Sequence, residues 1–421
     1  MLQLCADIIL QIGKDLEDYE KIRLSLTSRS AGRLRQIFLY SKRMWIPQII
    51  NLPYYDNFLS VWCSNNIHEV PNNVKYIDYR QAHSADKSMI PKFVTTNGIP
   101  KNVTAIFFDD HFDKSIEGYI PDGAETIIFG RNFDTPVSIK CFPASVKTII
   151  FGKKFNQSTK GCIPSTVISL YFGDDFNHPI EDSIPSSVKI LHFGLAFNQS
   201  IKNNIPHSVE ELVFAACFDQ PIKGHIPSSV TRLTVGSHYI NSIENSVPDT
   251  VKELLFNIQY DHSIRNCIPN SLTSLTLGNY FNRPLYDLPQ TLINLVCGYA
   301  FNKPVDNLPI SLLYVFFGDN FNQPVNKLPD SIIHLRFGHG FNQTIDQLPK
   351  SLTHLTLGEQ FDQSIDNLPK SLTYLKLGEK FDHPIDNLPP SLKHLILDGT
   401  YKHRINRSAI NAKIEFTYSW V

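Results

Sequence analysis

Residues 351–370 read SLTHLTLGEQFDQSIDNLPK, and residues 371–390 read SLTYLKLGEKFDHPIDNLPP. The two copies share their leucines, their glycine, their Phe-Asp pair and their closing Leu-Pro. Self-similarity at a fixed period is the signature of a stacked repeat architecture, and it overrides the prior that 421 residues split into two or three domains. Working outward, the proline recurs fifteen times from Pro100 to Pro389, spaced by 21 residues (once 22) up to Pro269 and by 20 thereafter. An apolar residue follows each proline at three, six and eight positions, as Leu352, Leu355 and Leu357 follow Pro349. Twelve positions after the proline comes an aromatic, from Phe112 and Phe133 to Phe381 and Tyr401, usually followed by Asn or Asp.

The L-x-x-L-x-L core is the leucine-rich-repeat strand pattern. The fold class expected is therefore a leucine-rich-repeat-like solenoid, β-rich, with one short parallel strand per 20–22 residue repeat and an irregular convex side. Pro or Ser arrives three residues after the Phe, as in FNQP and FDHP, which leaves no room for a long helix. No unit can bury its apolar side chains alone, so adjacent turns must stack, and the Phe column becomes a continuous inner stack. The Asn or Asp beside it (Asn156, Asn177, Asn302, Asn322, Asn342) is expected to form a polar ladder to loop backbone. Gly nine positions after the proline, as at Gly318 and Gly358, reads as a corner residue. AKIEFTYSW, with Ile414, Phe416, Tyr418 and Trp420 alternating, reads as a capping strand, and VPNNVKYIDYR from Val70 as a degenerate first unit before an insertion near 80–98.

Composition excludes several function classes. With 39 Lys and Arg against 40 Asp and Glu the net charge is -1, giving no global field toward nucleic acid or a membrane surface. No apolar run of about 18 residues is present, and Asp7 interrupts the N-terminal apolar stretch where a secretory signal would be continuous. A cytoplasmic location is therefore the expectation. Seven cysteines without a C-x-x-C pair fit a reducing compartment. Cys141 and Cys162 share a phase in adjacent repeats and read as small loop fillers in preference to a disulfide or half a metal site, and Cys297 reads as core packing. No nucleotide loop, zinc-protease motif or nucleophile elbow occurs, so the chain is expected not to be an enzyme and to need no cofactor.

The residues five and seven after each proline alternate with the core leucines and point to the opposite face. In the N-terminal half they are mostly apolar (Phe107, Ile128, Ile150, Tyr171, Ile190); toward the C-terminus they become aromatic and basic (Tyr314, Phe316, His334, Arg336, His354, Tyr374, Lys376, His394). These eight are the expected target-binding residues, because Arg, Tyr and Phe are enriched at interface centres; a solvated sheet face is the plain alternative. His334 and His354 fall one strand apart, but neither strand carries a carboxylate companion, so no metal site is expected.

FGDNFNQPVNKLPDSI and LGEQFDQSIDNLPKSL resemble FNIP repeats, known chiefly from slime moulds and giant viruses of amoebae, and the resemblance covers about residues 70–401. LCADIILQIGKDLEDYEKIRLSLTSR, near the N-terminus, resembles an F-box, the helical module that docks a Skp-type adaptor in a cullin ubiquitin ligase. Cys5 stands where that family usually has Pro, and the usual Trp soon after Arg29 is absent. The resemblance implies a substrate receptor of an SCF-type ligase, with Leu4, Ile8, Ile9, Ile12, Leu16, Ile22 and Leu26 binding the adaptor and the repeats binding an unidentified target protein, in the host cytoplasm if the chain is viral. The implied domains are an F-box-like helical module at 1–45, a linker and degenerate first repeat at 46–98, the repeat solenoid at 99–401 and a cap at 402–421. The alternative is an interaction scaffold whose N-terminal helices only cap the solenoid.

Overall fold

The computed structural model describes residues 17, 18, 20, 21, 38–62, 70–79, 99–239, 243–405 and 412–417. The chain divides into two compact units, Met1–Leu195 and Ala196–Val421. Each is a stretch of parallel β-solenoid.

In the first unit, β1 (Met44–Trp45), β2 (Ser60–Trp62), β3 (Tyr76–Asp78), β4 (Ala105–Phe107), β5 (Thr126–Ile128), β6 (Thr148–Ile150), β7 (Ser169–Tyr171) and β8 (Ile190–His192) pair in sequence order, all parallel. One short helix, α1 (Ile46–Ile49), follows β1 with a proline in its first turn. The degenerate unit at Val70 is present as β3, and strands also precede it: β1 and β2 fall outside the regular repeat pattern.

In the second unit, β9 (Glu211–Val213), β10 (Arg232–Val235), β11 (Glu253–Phe256), β12 (Ser274–Thr276), β13 (Asn294–Val296), β14 (Tyr314–Phe316), β15 (His334–Arg336), β16 (His354–Thr356), β17 (Tyr374–Lys376), β18 (His394–Asp398) and β19 (Lys413–Thr417) likewise pair in sequence order, all parallel. The expected C-terminal strand is β19, which aligns Ile414 with Leu395 and Phe416 with Leu397. Phe416 remains 37% exposed, and Tyr418 and Trp420 lie outside the described residues.

The strands are short because each repeat makes only one straight segment between two turns. Pro349 opens the first turn, its carbonyl accepting the Leu352 N–H at 3.1 Å. Thr353 and His354 N–H groups then both donate to the Ile333 carbonyl of the previous turn, at 2.9 and 3.0 Å. After the strand, the Leu357 N–H donates forward to the Lys376 carbonyl at 2.9 Å. Each turn therefore satisfies backbone groups of both neighbours, which an isolated repeat cannot do.

The middle residue of the three-residue strands faces inward: Leu335 is 2% exposed, and Leu355 and Leu375 are wholly buried. Behind them runs the aromatic column, with Phe321, Phe341 and Phe361 stacked at centroid separations of 6.1 and 6.2 Å. A second aromatic, eight positions after the proline, joins it in places: Phe337 lies 3.8 Å from Phe341, and in the first unit Phe151 lies 3.9 Å from Phe155. Offset stacks of this kind contribute about 0.5–1.5 kcal/mol per pair beyond area burial.

The polar ladder forms as expected. Asn302 Oδ1 accepts the backbone N–H of Asn322 at 3.0 Å, Asn322 that of Asn342 at 2.9 Å, and Asn342 that of Asp362 at 3.0 Å. A second ladder was not anticipated. The hydroxyl two residues after the proline donates to a carbonyl of the previous turn, as Ser311 does to Leu292 at 2.7 Å and Ser331 to Leu312 at 2.8 Å.

The glycine nine positions after the proline is not a corner requiring unusual backbone angles, since none of these glycines has positive φ. It is a point of close approach: a Cβ on Gly318 would sit 2.0 Å from the Gly298 carbonyl oxygen, and one on Gly358 1.8 Å from that of Gly338. Left-handed backbone occurs elsewhere, three residues before the proline of the longer repeats, where Gly161 (φ 67°), Asn203 (φ 60°) and Asn266 (φ 57°) stand. These residue types tolerate that region. The last residue at that position with left-handed backbone is Asn266; Asp287 (φ 54°) stands two before Pro289 in the first 20-residue repeat, and no later described residue has positive φ.

Candidate interaction surface

Strand alternation places two side-chain columns on the outer face of β14–β18. Register pairing runs Tyr314, His334, His354, Tyr374, His394 along one column and Phe316, Arg336, Thr356, Lys376, Ile396 along the other. All eight residues expected from the sequence lie here, on five adjacent strands. Thr356 and Ile396 complete the columns, and strand phase alone was enough to find them. Arg336 and His394 are exposed and the rest half-buried.

The first column is a ring stack. Tyr314 and His334 centroids are 5.0 Å apart, His334 and His354 4.0 Å, and His354 and Tyr374 5.5 Å. Thr353 Oγ1 lies 2.9 Å from His354 Nδ1 and orients that ring. Partial burial, and secondarily the charge of His354, hold the His334 imidazole below its ordinary pKa. Among the described residues no cluster of three or more His, Cys, Asp or Glu groups is placed to hold a metal ion.

The charge arrangement differs from that of β9–β12 in the same unit. There Arg232 is bonded to Glu211 at 2.5 Å, and both line, with Glu253 and Leu255, a depression of about 220 Å³. In the two columns of β14–β18 no carboxylate appears. Nearby ion pairs involve Lys327, His339, Lys350 and Lys380, leaving Arg336 and Lys376 without a carboxylate partner among the described residues.

In the first unit the outer face is apolar and partly covered. Phe107, Ile128, Ile150, Tyr171 and Ile190 are half-buried. The Arg43 guanidinium lies 5.1 Å from the Phe107 ring centroid and 2.6 Å from Asp78, whose side chain is 5% exposed. Sequence reasoning missed this pair, because Arg43 and Asp78 sit 35 residues apart in segments without the repeat pattern.

Cys141, Cys162 and Cys297 serve the loops and core. Cys141 is buried and accepts the Ser138 N–H, while the Cys162 thiol donates to the Val137 carbonyl at 3.2 Å; both sulfurs are free. Cys297 is buried, and burial pushes its thiol pKa up. The seven residues expected to bind an adaptor, Leu4, Ile8, Ile9, Ile12, Leu16, Ile22 and Leu26, lie outside the described residues. Among those described, no helix is long and apolar enough to cross a membrane.

This geometry recurs in known proteins. The chain is similar to CroV588, whose crystal structure is a circular leucine-rich-repeat protein, with 32% identity and a TM-score of 0.70 over 86% of this chain and 60% of that one. It also shares its fold with TLR13 in the crystal structure of the TLR13–ssRNA13 complex, at 13% identity and a TM-score of 0.56, again covering 86% of this chain and 61% of that one. The chain thus spans about three-fifths of the length of these relatives. No curated protein sequence matches it significantly. A repeat solenoid with this fold is suited to protein–protein interaction and is typical of non-enzymatic proteins. The FNIP Repeat family model matches in overlapping copies between residues 86 and 399, including 301–340, 321–360, 341–380 and 361–399, and so this chain belongs to the FNIP repeat family.

Proposed function

We propose that the chain is a substrate receptor of an SCF-type ubiquitin ligase. Residues 1–45 dock a Skp-type adaptor through Leu4, Ile8, Ile9, Ile12, Leu16, Ile22 and Leu26, and the outer face of β14–β18 holds a target protein. One observation carries the binding half: five adjacent strands present eight aromatic or basic side chains in register, two of them cations without a carboxylate partner among the described residues. Rigid stacked rings contribute contact area at low entropic cost, and Arg contributes directed hydrogen bonds. The ligase half rests on the apolar spacing of the N-terminal segment.

The test is calorimetric titration of the full chain with a Skp-type adaptor from an amoeba. Binding lost in Ile9→Asp/Ile12→Asp, with the array still folded, is the expected result. Binding retained by that variant, or absent from the folded wild type, overturns the ligase reading.

A second reading, an interaction scaffold whose N-terminal segment is a cap, is favoured by a specific observation. Tyr40 bridges to Phe58, Met44–Trp45 pair with Val61–Trp62, and Arg43 is bonded to Asp78. The end of the 1–45 segment is thus committed to the sheet. No adaptor binding by a folded full chain would establish this reading.

A further inference from the structure

We infer that the segment taken by the β14–β18 face is a linear acidic peptide in polyproline II conformation, crossing the strands with carboxylates three residues apart. This rests on the target-binding reading above and names the partner's chemistry.

Three features of the face converge. The ten outward positions carry Arg336 and Lys376 but no carboxylate, and the nearby acidic residues are engaged elsewhere, Glu359 with His339 at 3.1 Å, Glu379 with Lys380 at 3.9 Å and, in register with Ile396 on the next strand, Glu415 with Lys413 at 2.6 Å. A partner carboxylate therefore meets unpaired cations without first displacing an internal rival.

The neighbouring rings add to the same sign. His334 and His354 are parallel within 9° and stacked along the ladder, so they turn their edges, not their faces, outward. Ring edges are the positive part of an aromatic quadrupole, and imidazole edges carry N–H donors. Both favour an anion over a cation or a neutral apolar surface.

Spacing selects the conformation. Arg336 and Lys376 occupy one column with Thr356 between them, two strand intervals apart, which is about 9.6 Å. A polyproline II segment returns a side chain to the same side every three residues, about 9.3 Å along its axis. The small Thr356 side chain leaves room for the peptide backbone between the two cations.

Single-stranded nucleic acid is also anionic, but it binds by stacking bases on open aromatic faces and by neutralising many phosphates. Here the central ring faces are already taken by each other, and only two fixed cations are present in the columns.

The experiment is fluorescence anisotropy on the full chain with a labelled (Glu-Pro-Pro)4 peptide, a (Lys-Pro-Pro)4 control and a labelled polyuridylate of about the same length. The acidic peptide should bind. Its affinity should fall by at least roughly tenfold in Arg336→Glu/Lys376→Glu, and fall again between about 50 mM and about 500 mM salt. The Lys peptide should show no binding. Binding unchanged by the double substitution, no binding of the acidic peptide, or tighter binding of polyuridylate overturns the inference. A random peptide library displayed on phage separates this failure from that of the parent reading. Neutral peptides enriched by the wild type and lost with Tyr374→Ala would keep the face as a protein site while removing the acidic partner. No Tyr374-dependent enrichment would remove both.

Discussion

His334 and His354 lie one strand apart with parallel rings, their centroids 4.0 Å from one another. Protonating both would set two like charges face to face, and burial already disfavours charge on His334. His334 is thus expected to titrate below the ordinary imidazole value, and His354→Gln to move it part of the way back up, as read by NMR titration of the ring protons. An unchanged His334 pKa in His354→Gln would remove the coupling. The sign for stability follows. The folded-state pKa lies below the unfolded value of about 6.5, so the unfolded chain binds more protons between the two. Stability should decline as pH drops through the unfolded pKa and level off below the folded one, by a modest amount because the ring is partly solvated.

Close stacking predicts opposite reasons for cost at two glycines. Gly318→Ala places a methyl 2.0 Å from the Gly298 oxygen and forces two turns apart, for a loss of about 1–3 kcal/mol. Gly161→Ala meets nothing within 4 Å but must hold φ at 67°, at about 1–2 kcal/mol. Urea unfolding gives both values. Hydrogen exchange then separates them, because only Gly318→Ala should weaken protection in the adjoining turn. A neutral Gly318→Ala would refute the close-approach account.

The aromatic column predicts a large core effect. Phe341 is fully buried and touches Phe337 at 3.8 Å, with Phe321 and Phe361 above and below it. Phe341→Ala should cost about 3–5 kcal/mol. In a nearest-neighbour array the damage should concentrate in the flanking turns. Exchange protection lost evenly across the second unit would contradict that.

The Arg43 and Asp78 pair predicts a strong asymmetry between single and double substitution. Asp78 is buried, so Arg43→Ala takes a charge-assisted hydrogen bond from a buried carboxylate at about 1.5–3 kcal/mol. Arg43→Met combined with Asp78→Leu removes both charges and should recover most of that. A thermal-melt double-mutant cycle reads the coupling, and additive losses would show that the two residues act independently.

Much of the array was legible because a solenoid repeats its constraints. Leu352, Leu355 and Leu357 recur in phase with Pro349, and the chain has one way to bury such a pattern, by stacking turns. The Asn ladder and the outward columns follow from the same phase. The serine ladder was equally visible at a constant position, yet a hydroxyl two residues after proline also fits an ordinary turn, and only the carbonyl of the previous turn gives it a role. The glycine was found with the wrong cause, since close approach between turns is a distance and not a local preference.

By itself, then, the sequence determined the repeat, its strand, its buried column and which side chains face outward, because each depends on spacing along one chain. The tertiary structure decided what depends on neighbours: that His334 and His354 stack ring on ring, that Arg336 and Lys376 lack a carboxylate partner among the described residues while Arg232 has one, and that Arg43 reaches Asp78. Those outcomes turn on distances between turns and on charge balance across strands, quantities that exist only once the turns are stacked.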